Sequence, residues 1–277
     1  MVMNCIICKF KLEKYSENSY LNMPVYVCKN CNSFVTGQEE NEIKKKLKEL
    51  YSGEYWEKLE VEKSIKSNFT DTASQGKYRN WLSQYLYSKP FFNSKKNILE
   101  IGVGGGQASV WFEKEGFRIT GIEPDKRNVD LINQKLENGK ILHSFIEEIN
   151  LDEKFDIFWM SHVLEHLVRP DIFLEKIYNN LEDDGVFFIE VPSSEHTPTL
   201  KASIFENPHI HHFSKQSLIK LVEKHYRVVS CDCFRPATKI EGGIKKIFKN
   251  SKMFPFYPRI MTECKKGRDL RIILKKK

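Results

Sequence analysis

The spacing of apolar and polar positions changes along this chain of 277 residues, and the changes predict its elements. In "EENEIKKKLKEL", Ile43, Leu47 and Leu50 recur at helical spacing among charged residues, which predicts a helix. A second helix is predicted over 72–88, where aromatic side chains share one side and Pro90 ends the run. The stretch between these helices is polar and aromatic without a clear period, and we expect a linker there.

From residue 97 the pattern becomes an alternation of short apolar runs and amphipathic segments. Seven runs predict buried strands, in chain order "NILEI", "FRITGIE", "KILHSF", "FDIFWM", "GVFFIEV", "YRVVSCDCF" and "DLRIILKK". Helices are predicted over 107–115, 126–137 and 162–180, and one more after Ser214 as its N-cap, with a long loop before residue 213. This alternation predicts an α/β fold, a doubly wound seven-stranded and mostly parallel sheet.

Four of the seven cysteines form two pairs near the start of the chain, Cys5-x2-Cys8 and Cys28-x2-Cys31. Two such knuckles at this separation are typical of a closed four-thiolate zinc site, because each tight turn supplies two sulfurs. Disulfides are the alternative, but they need an oxidising compartment. The sequence therefore predicts structural zinc in a ribbon that spans residues 1–37.

Composition and charge narrow the class of protein. Apolar residues make up 40% of the chain, as in globular domains, and no apolar run reaches the ~18 residues that a membrane helix needs. No signal peptide is visible at the start, so we expect a cytoplasmic location. The net charge of +7 is concentrated in lysines at 44–48, 239–252 and 265–277. These lysines fit a solvated surface, a nucleic-acid face or a substrate that carries phosphate, and charge alone does not choose among them.

The turn after the first strand of this sheet, in "LEIGVGGG", carries Glu100, Gly102, Gly104 and Gly106 at alternate positions. Glycine permits positive φ and lets a ligand approach the backbone, and ligands of open α/β sheets bind at the carboxyl ends of the strands. Glu123 ends the second strand, where a carboxylate can accept both hydroxyls of a ribose. A dinucleotide-binding fold is the rival interpretation. Three features argue against a dinucleotide-binding fold. An acidic residue precedes the glycines, the sheet begins in mid-chain, and the last two strands are predicted to form a hairpin.

Residues 97–277 resemble the class I S-adenosylmethionine-dependent methyltransferases. "ILEIGVGGG" matches their first motif (acid-x-Gly-x-Gly-x-Gly), "GIEPD" the acid after strand two, and "FDIFWMSHVLEHLVRP" the strand-four motif. "LEDDGVFFIEVP" and "HIHHFSKQSLIKLV" match later elements in the same order. The N-terminal ribbon together with "YSGEYW" resembles a bacterial subgroup that acts on sugars and other small metabolites.

The resemblance implies S-adenosylmethionine as the methyl donor and a strand order of 3-2-1-4-5-7-6 with an antiparallel last hairpin. It implies that Glu100 orients the glycine loop toward the amino-acid part of the cofactor, that the three glycines let the loop approach it, and that Glu123 binds the ribose. Ser144 and Phe145 stand where the family has an acid after strand three, and we expect them near the adenine. Ser161, which ends the fourth strand, is assigned to the same cofactor site.

The stretch "SHVLEHLVRP" sets His162, Glu165 and His166 three and four residues apart, which predicts one shared face of the helix that follows strand four. The resemblance places this end of the strand beside the methyl group of the cofactor. An acceptor hydroxyl must lose a proton during methyl transfer, and an imidazole is suited to take it. His166 or His162 is therefore a candidate base, with Glu165 beside it and His209 as a further catalytic or substrate-binding candidate.

A divalent metal is the second interpretation of this stretch, and a purely structural role is the third. Small-RNA 2′-O-methyltransferases and a quinone-pathway O-methyltransferase of the same family carry Glu-x-x-Glu-His here with a further histidine and bind a divalent ion. This chain has His-x-x-Glu-His instead, and "PHIHHF" supplies His209, His211 and His212. Histidine and carboxylate together would suit zinc, iron or manganese better than magnesium.

Three parts of the chain follow from these patterns: a zinc ribbon at 1–37, a helical and aromatic linker and cap at 38–96, and a cofactor-binding domain at 97–277 in which 236–268 is an inserted, lid-like segment. The first hypothesis for function is O-methylation of a small metabolite such as a sugar or a surface-carbohydrate precursor. The alternative is a nucleic-acid or protein methyltransferase that grips its substrate with the ribbon and the basic regions. Aromatic and basic residues are not interleaved as a base-stacking surface requires, so nucleic acid is disfavoured.

Overall fold

The computed structural model describes residues 4–37, 39–52, 75–236 and 262–277. Within these ranges, no helix is both long and apolar enough to span a membrane. The predicted linker after residue 52, including "GEYW", and residues 237–261 of the predicted insertion lie outside the described residues.

The N-terminal part of the chain, here called the ribbon (residues 4–37), forms a small antiparallel sheet. Its strands are β1 (Leu12–Ser16), β2 (Val25–Cys28) and β3 (Ser33–Thr36), each antiparallel to the next. A two-residue strand from the far part of the chain, β9 (His211–His212), pairs antiparallel with β3. The edge of the ribbon sheet at β3 is therefore occupied by the main part of the protein.

The main sheet has eight strands among the described residues. In spatial order they are β11 (Thr262–Cys264), β10 (Tyr226–Arg235), β12 (Asp269–Lys276), β8 (Leu181–Pro192), β7 (Phe155–Ser161), β4 (Asn97–Ile101), β5 (Arg118–Glu123) and β6 (Lys140–His143). Strands β6, β5, β4, β7 and β8 are parallel, and β12 is antiparallel to both of its neighbours. The predicted fold and strand order are confirmed, with β11 as an additional short edge strand at the end of the predicted insertion.

Helices cover both faces of this sheet. In chain order they are α1 (Glu40–Ser52), α2 (Gln75–Ser88), α3 (Gln107–Lys114), α4 (Lys126–Asn133), α5 (Pro170–Lys176), α6 (Thr197–Phe205) and α7 (Lys215–Val222). The predicted N-cap of α7 is confirmed, because the Ser214 hydroxyl accepts the N–H of Ser217 at 3.0 Å and the Ser217 hydroxyl accepts the N–H of Ser214 at 2.9 Å.

The predicted helix over 162–180 is wrong in its first half. His162 has a φ of +56°, Leu164–His166 form a single 3-10 turn, and the α-helix begins only at Pro170. Proline has no N–H to donate and disfavours helical geometry in the residue before it, so Pro170 fits the first turn of a helix better than its interior. His162, Glu165 and His166 therefore do not share a helix face.

The predicted loop before residue 213 is also wrong, because it contains α6 and β9. Helix α6 has a proline in its first turn and buries Leu200, Ser203 and Ile204 on one side. Its nine residues carry too few apolar positions for the period to be visible in the sequence, and β9 consists of two polar residues. Tertiary packing, rather than local pattern, defines both elements.

Two clusters of buried side chains hold the elements around the site. Aromatic rings pack α2 against α3 and the middle of the sheet, with Trp81 stacked on Tyr85 and Trp159 stacked on Phe188 at 4.1 Å between ring centroids. The other cluster joins the ribbon to the main sheet and includes Cys5, Ile7 and Leu12 together with the residues around α7. The ribbon thus shares a hydrophobic core with the main sheet.

Candidate active site

A cavity of about 630 Å³ lies at the carboxyl ends of β4, β5 and β7. Seven of the residues predicted from the sequence line it: Gly102, Gly104, Glu123, Phe145, Ser161, His162 and His166. Helix α1 contributes Lys44, Leu47 and Lys48 to the opposite wall. The structure therefore brings most of the predicted site into one cavity at the end of the sheet where ligands of this fold class bind.

The glycine loop meets the cavity at two of its three alternate glycines. Gly104 has a φ of +55°, and a Cβ added there would meet no heavy atom within 4 Å, so its free side faces the cavity. Gly102 also lines the cavity, but an added Cβ would lie 2.4 Å from Val163. Gly106 is the N-cap of α3, and an added Cβ would meet Ile132 at 2.5 Å. Gly106 is thus required by the packing of α3 on α4 rather than by contact with a ligand.

Two carboxylates support this loop. Glu123 accepts the N–H of Gly104 at 2.7 Å and the N–H of Asp125 at 3.0 Å, and burial raises its pKa to about 7. A ligand hydroxyl that donated to Glu123 would favour its charged form. Glu100 does not line the cavity; it is buried, accepts the hydroxyl of Ser109 in the first turns of α3, and has a pKa that burial raises to about 8. Glu100 thus anchors the helix that follows the loop.

The residues predicted near the adenine and the rest of the cofactor differ in whether they line the cavity. Phe145 is 42% exposed and lines the cavity, as a residue that contacts a flat ring would. The Ser144 hydroxyl instead donates to the carbonyl of Phe145 at 3.0 Å, and Ser144 is not among the lining residues. Ser161 lines the cavity, and its hydroxyl accepts the side-chain amide of Gln84 at 2.9 Å.

His162 bridges two buried carboxylates at the wall of this cavity. Its Nε2 lies 3.1 Å from Glu190 Oε1 and its Nδ1 lies 3.4 Å from Glu165 Oε1. The N–H of His162 donates to the carbonyl of Glu190 at 2.9 Å, which holds the residue in its positive-φ conformation. Although burial alone would lower the pKa of His162, the two carboxylates raise it well above its ordinary value. The two carboxylates therefore favour the protonated, cationic form of His162.

Glu190 is the centre of a buried polar network behind His162. Both Glu190 and Arg271 are fully buried, and the guanidinium donates to the carboxylate. Gln84 from α2 donates to the same carboxylate, and Arg271 also donates to the hydroxyl of Ser83 at 2.8 Å. Burial opposes ionisation, but Arg271 and His162 lower the pKa of Glu190 to about 2. This network joins β8, β12 and α2 to the loop that carries His162.

Glu165, His166 and His209 form a second cluster, in which one ligand atom from each lies within 4.8 Å of the others. The rings of His166 and His209 are edge to face at 4.6 Å, and His209 Nε2 lies 3.9 Å from Glu165 Oε1. Glu165 is fully buried, and no donor among the described residues makes a hydrogen bond to either of its oxygens. Burial lowers the pKa of His166 and lowers that of His209 to about 3, so both are neutral imidazoles at neutral pH.

A chain of hydrogen bonds leads from this cluster to the ribbon. Ser203 Oγ lies 2.7 Å from Nδ1 of His209 and 2.7 Å from Nδ1 of His212. His212 Nε2 lies 3.2 Å from Oγ1 of Thr36, on β3. His212 and Thr36 are fully or almost fully buried, and burial lowers the pKa of His212 well below its ordinary value. The sequence analysis did not find Glu190, Arg271, Ser203 or Thr36, although a charge inside "GVFFIEV" and another inside "DLRIILKK" were visible signals.

The four predicted cysteines lie together at one end of the ribbon, with their sulfurs within 4.8 Å of one another. Cys5 and Cys31 are 3.8 Å apart, close to the ~3.8 Å between ligands of a tetrahedron with Zn–S distances of ~2.3 Å. Each knuckle closes with a residue at positive φ, Lys9 and Asn32, whose N–H donates to the carbonyl of the first cysteine at 2.8 Å. The donor set and its geometry fit a structural zinc ion.

We expect about one zinc per chain, and Cys28→Ser to remove it. Losing one thiolate from a closed site should release the ion and unfold the ribbon, because the metal contributes folding energy locally. Metal analysis would give the stoichiometry, and hydrogen exchange would show whether the loss of protection stops at β9. Cys264→Ser, which changes a half-buried cysteine outside the cluster, is the matched control and should keep its zinc. Wild-type protein prepared without chelator and lacking zinc would contradict the assignment.

Comparison with known proteins agrees with this geometry. Residues 73–225 match the profile of the family described as "Methyltransferase domain", and this is more than half of the chain. Solved structures of the same fold include an S-adenosylmethionine-dependent methyltransferase from Archaeoglobus fulgidus, at TM-score 0.53 and 20% identity over 72% of this chain and 94% of that one. Another is a possible histamine N-methyltransferase from Thermotoga maritima, at TM-score 0.52 and 20% identity over 71% and 89%. At this identity these structures support the fold alone. The chain belongs to the methyltransferase-domain family of class I S-adenosylmethionine-dependent methyltransferases.

Curated relatives match a shorter part of the chain. The ubiquinone biosynthesis O-methyltransferase of Haemophilus ducreyi is 31% identical over 115 residues, 38% of this chain and 49% of that protein. The protein of the same name from Rickettsia akari is 30% identical over 100 residues, 35% of this chain and 40% of that protein. The matched segments thus span less than half the length of these relatives.

Proposed function

We propose that this protein transfers the methyl group of S-adenosylmethionine to a hydroxyl of a small metabolite. The observation that carries the proposal is the cavity that joins the glycine loop and Glu123 to His162 and His166. When bound, the donor supplies an electrophilic methyl group on a sulfonium. The curated O-methyltransferases support oxygen as the acceptor atom.

Binding of the donor gives the first test. Gly104→Val would place a branched side chain in the cavity where nothing now lies within 4 Å, and we expect the affinity for S-adenosylmethionine to fall by about 100-fold or more. The strain of a β-branched residue at positive φ must be separated from this effect. Gly116→Val is the matched control, because Gly116 has a φ of +82° in a turn that does not line the cavity. Calorimetry showing equal affinity in both variants would mean that the cofactor binds elsewhere.

Glu165, His166 and His209 would hold a divalent cation beside the acceptor. The fit rests on two observations: the three groups converge within 4.8 Å, and both buried oxygens of Glu165 lack a hydrogen-bond donor among the described residues. A carboxylate with two neutral imidazoles suits zinc, iron or manganese. Such an ion would act as a Lewis acid on the acceptor oxygen and favour loss of its proton.

The protein's own groups then have distinct roles in the reaction. The glycine loop and Glu123 would position the donor, since alignment of nucleophile and methyl group is the main requirement of an in-line displacement. Because two carboxylates raise the pKa of His162 and favour its protonated form, His162 is poorly suited to take the proton of the acceptor. Its positive charge would instead stabilise the oxygen that loses a proton. His166, which is neutral and lines the cavity, remains the candidate base if no cation binds.

The acceptor is proposed as a small molecule, either an aromatic ring hydroxyl or a sugar hydroxyl. A test would supply S-adenosylmethionine labelled in its methyl group together with catechols, sugar nucleotides, RNA or protein extract. Product carrying label on oxygen of a catechol or sugar would support the proposal. Label only in RNA or protein would favour the macromolecular alternative, which the ribbon supports poorly because its edge at β3 is covered by β9. The cytoplasmic location stays a prediction from the sequence.

A further inference from the structure

The ribbon contacts the main domain beside His209, one of the groups proposed above to act on the acceptor. Thr36 donates its N–H to the carbonyl of Ile210 at 2.8 Å, and Val35 lies opposite His211 in the β3–β9 pair. Ile210 in turn donates its N–H to the carbonyl of Glu165 at 2.8 Å. Two backbone hydrogen bonds therefore link Thr36 to Glu165 through Ile210, the residue that follows His209.

Side chains make a second connection in the same place. The chain of contacts runs from Thr36 Oγ1 to His212, from His212 to Ser203 Oγ and from Ser203 Oγ to His209 Nδ1, with distances of 3.2, 2.7 and 2.7 Å. Each hydroxyl has one proton and each neutral imidazole has one N–H. Ser203 can donate to one imidazole and accept from the other, or accept from both. Accepting from both would leave the buried proton of Ser203 without an acceptor among the described residues, so the favoured arrangements orient all four groups together, either toward Thr36 or toward His209.

We propose that Ser203, His212 and Thr36 are positioning residues that fix His209 with its proton on Nδ1, so that the Nε2 lone pair points at Glu165. In this orientation His209 donates to Ser203, Ser203 donates to His212, and His212 donates through Nε2 to Thr36. The ribbon thereby has a role in the active site in addition to its own stability.

Geometry selects this direction over the reverse. In the reverse direction the proton of His209 would be on Nε2, whose distance of 3.9 Å from Glu165 Oε1 is beyond hydrogen-bond reach. A buried N–H without an acceptor is costly. A lone pair facing a carboxylate is favourable when a cation lies between them, so the choice of direction rests on the cation site proposed above. In the proposed direction every N–H and O–H up to Thr36 has an acceptor within 3.2 Å.

The direct test is the tautomer of His209, which is measured without any assay of activity. Long-range nitrogen–proton spectra of the full chain with labelled histidine distinguish the two tautomers, and a His209→Asn sample assigns the signals among the eight histidines. We expect the Nδ1–H form in the wild type, although free histidine favours Nε2–H. We expect Ser203→Ala to shift His209 toward Nε2–H. An Nε2–H tautomer in the wild type, or an unchanged tautomer in Ser203→Ala, would overturn the proposal.

Two further variants sharpen this result. Thr199→Ala removes another hydroxyl of α6 that contacts a histidine Nδ1, that of His196 at 2.8 Å, and should leave His209 unchanged. Thr36→Val removes the last acceptor on the ribbon while keeping the side-chain shape, and should reverse the chain and convert His209 to Nε2–H. An unchanged His209 in Thr36→Val would overturn the part assigned to the ribbon.

Cation binding gives a second readout, which rests on the proposed function. Titration with Mn²⁺, which disfavours the thiolate site, should show affinity lower by about 10- to 100-fold in Ser203→Ala than in Thr199→Ala, the usual effect of losing a partner behind a metal ligand. Equal affinity in these two variants would contradict the positioning role. If the wild type bound no Mn²⁺, the cation proposal would fail, and the tautomer experiment would still decide the orientation of His209.

Discussion

Glu165→Gln is expected to reduce turnover by at least about 10²-fold while leaving the affinity for S-adenosylmethionine unchanged. Glutamine keeps the volume of the side chain and removes its charge. Burial opposes ionisation of Glu165, but His162, His209 and His166 lower its pKa, so its charge contributes to folding through its pairing with His162. We therefore expect the melting temperature of Glu165→Gln to fall, because His162 loses one of its two carboxylate partners. Steady-state kinetics, donor calorimetry and thermal unfolding measured on one preparation would show this split.

The control for Glu165→Gln is Glu113→Gln. Glu113 accepts three consecutive backbone N–H groups, those of residues 137–139, and does not line the cavity. That change should lower stability and leave turnover near the wild-type value. If Glu165→Gln lowered stability in the same way but kept its turnover, Glu165 would have only a structural role.

Measuring activity in the presence of a chelator distinguishes catalysis by a bound cation from catalysis by a histidine base. Activity that is lost with chelator and restored by Mn²⁺, on protein shown to keep its ribbon zinc, would support an ion held by Glu165, His166 and His209. Activity that survives chelation but falls in His166→Ala would make His166 the base. The zinc expected in the ribbon must be measured in the same samples, since loss of a zinc ion there would disturb β3 and, through β9, the segment that carries His209.

The local pattern of the sequence was sufficient to predict the seven main strands of the large sheet and the glycine loop after β4. The glycine turn after β4 and the acid at the end of β5 are determined by short-range requirements, namely positive φ at Gly104 and a carboxylate that accepts its N–H. Strand order followed from the resemblance, and the main sheet agrees with it. Only the additional edge strand β11, within the predicted insertion, had no signal.

For the candidate catalytic residues, the sequence predicted which side chains come together but not the backbone geometry that brings them together. His162, Glu165 and His166 do lie near one another, yet positive φ at His162 and a helix start at Pro170 replace the predicted helix face. His162 is held by a contact with Glu190, which lies 28 residues later in the sequence, on the next strand. The spacing of neighbouring residues cannot reveal a contact over that separation. The same limit applies to β9, because a pair of histidines gains strand geometry only from β3, far away in the chain.

The buried pair of Glu190 and Arg271 should have the largest single effect on stability. We expect Glu190→Gln to lower the free energy of unfolding by about 3–5 kcal/mol, because it leaves the fully buried guanidinium of Arg271 without its counter-charge. Arg271→Met should also destabilise the fold but cost less, because Glu190 keeps His162 and Gln84 as partners. The double variant should cost much less than the sum, since replacing both partners removes the unpaired charge. Urea unfolding of the four proteins measures this coupling, and additive effects would contradict it.

The same four proteins should differ in how their stability depends on pH, because Glu190 also holds His162. The pKa of His162 is raised in the folded protein by Glu165 and Glu190, so protonation of His162 stabilises the fold fully below its ordinary pKa of ~6.5. That stabilisation is lost as pH rises through the raised value. Glu190→Gln brings the pKa of His162 down, so the gap between wild type and variant should be wider at about pH 6 than at about pH 9. Arg271 stays charged throughout this range and cannot produce the trend, so a gap independent of pH would mean that Glu190 does not hold His162 as a cation.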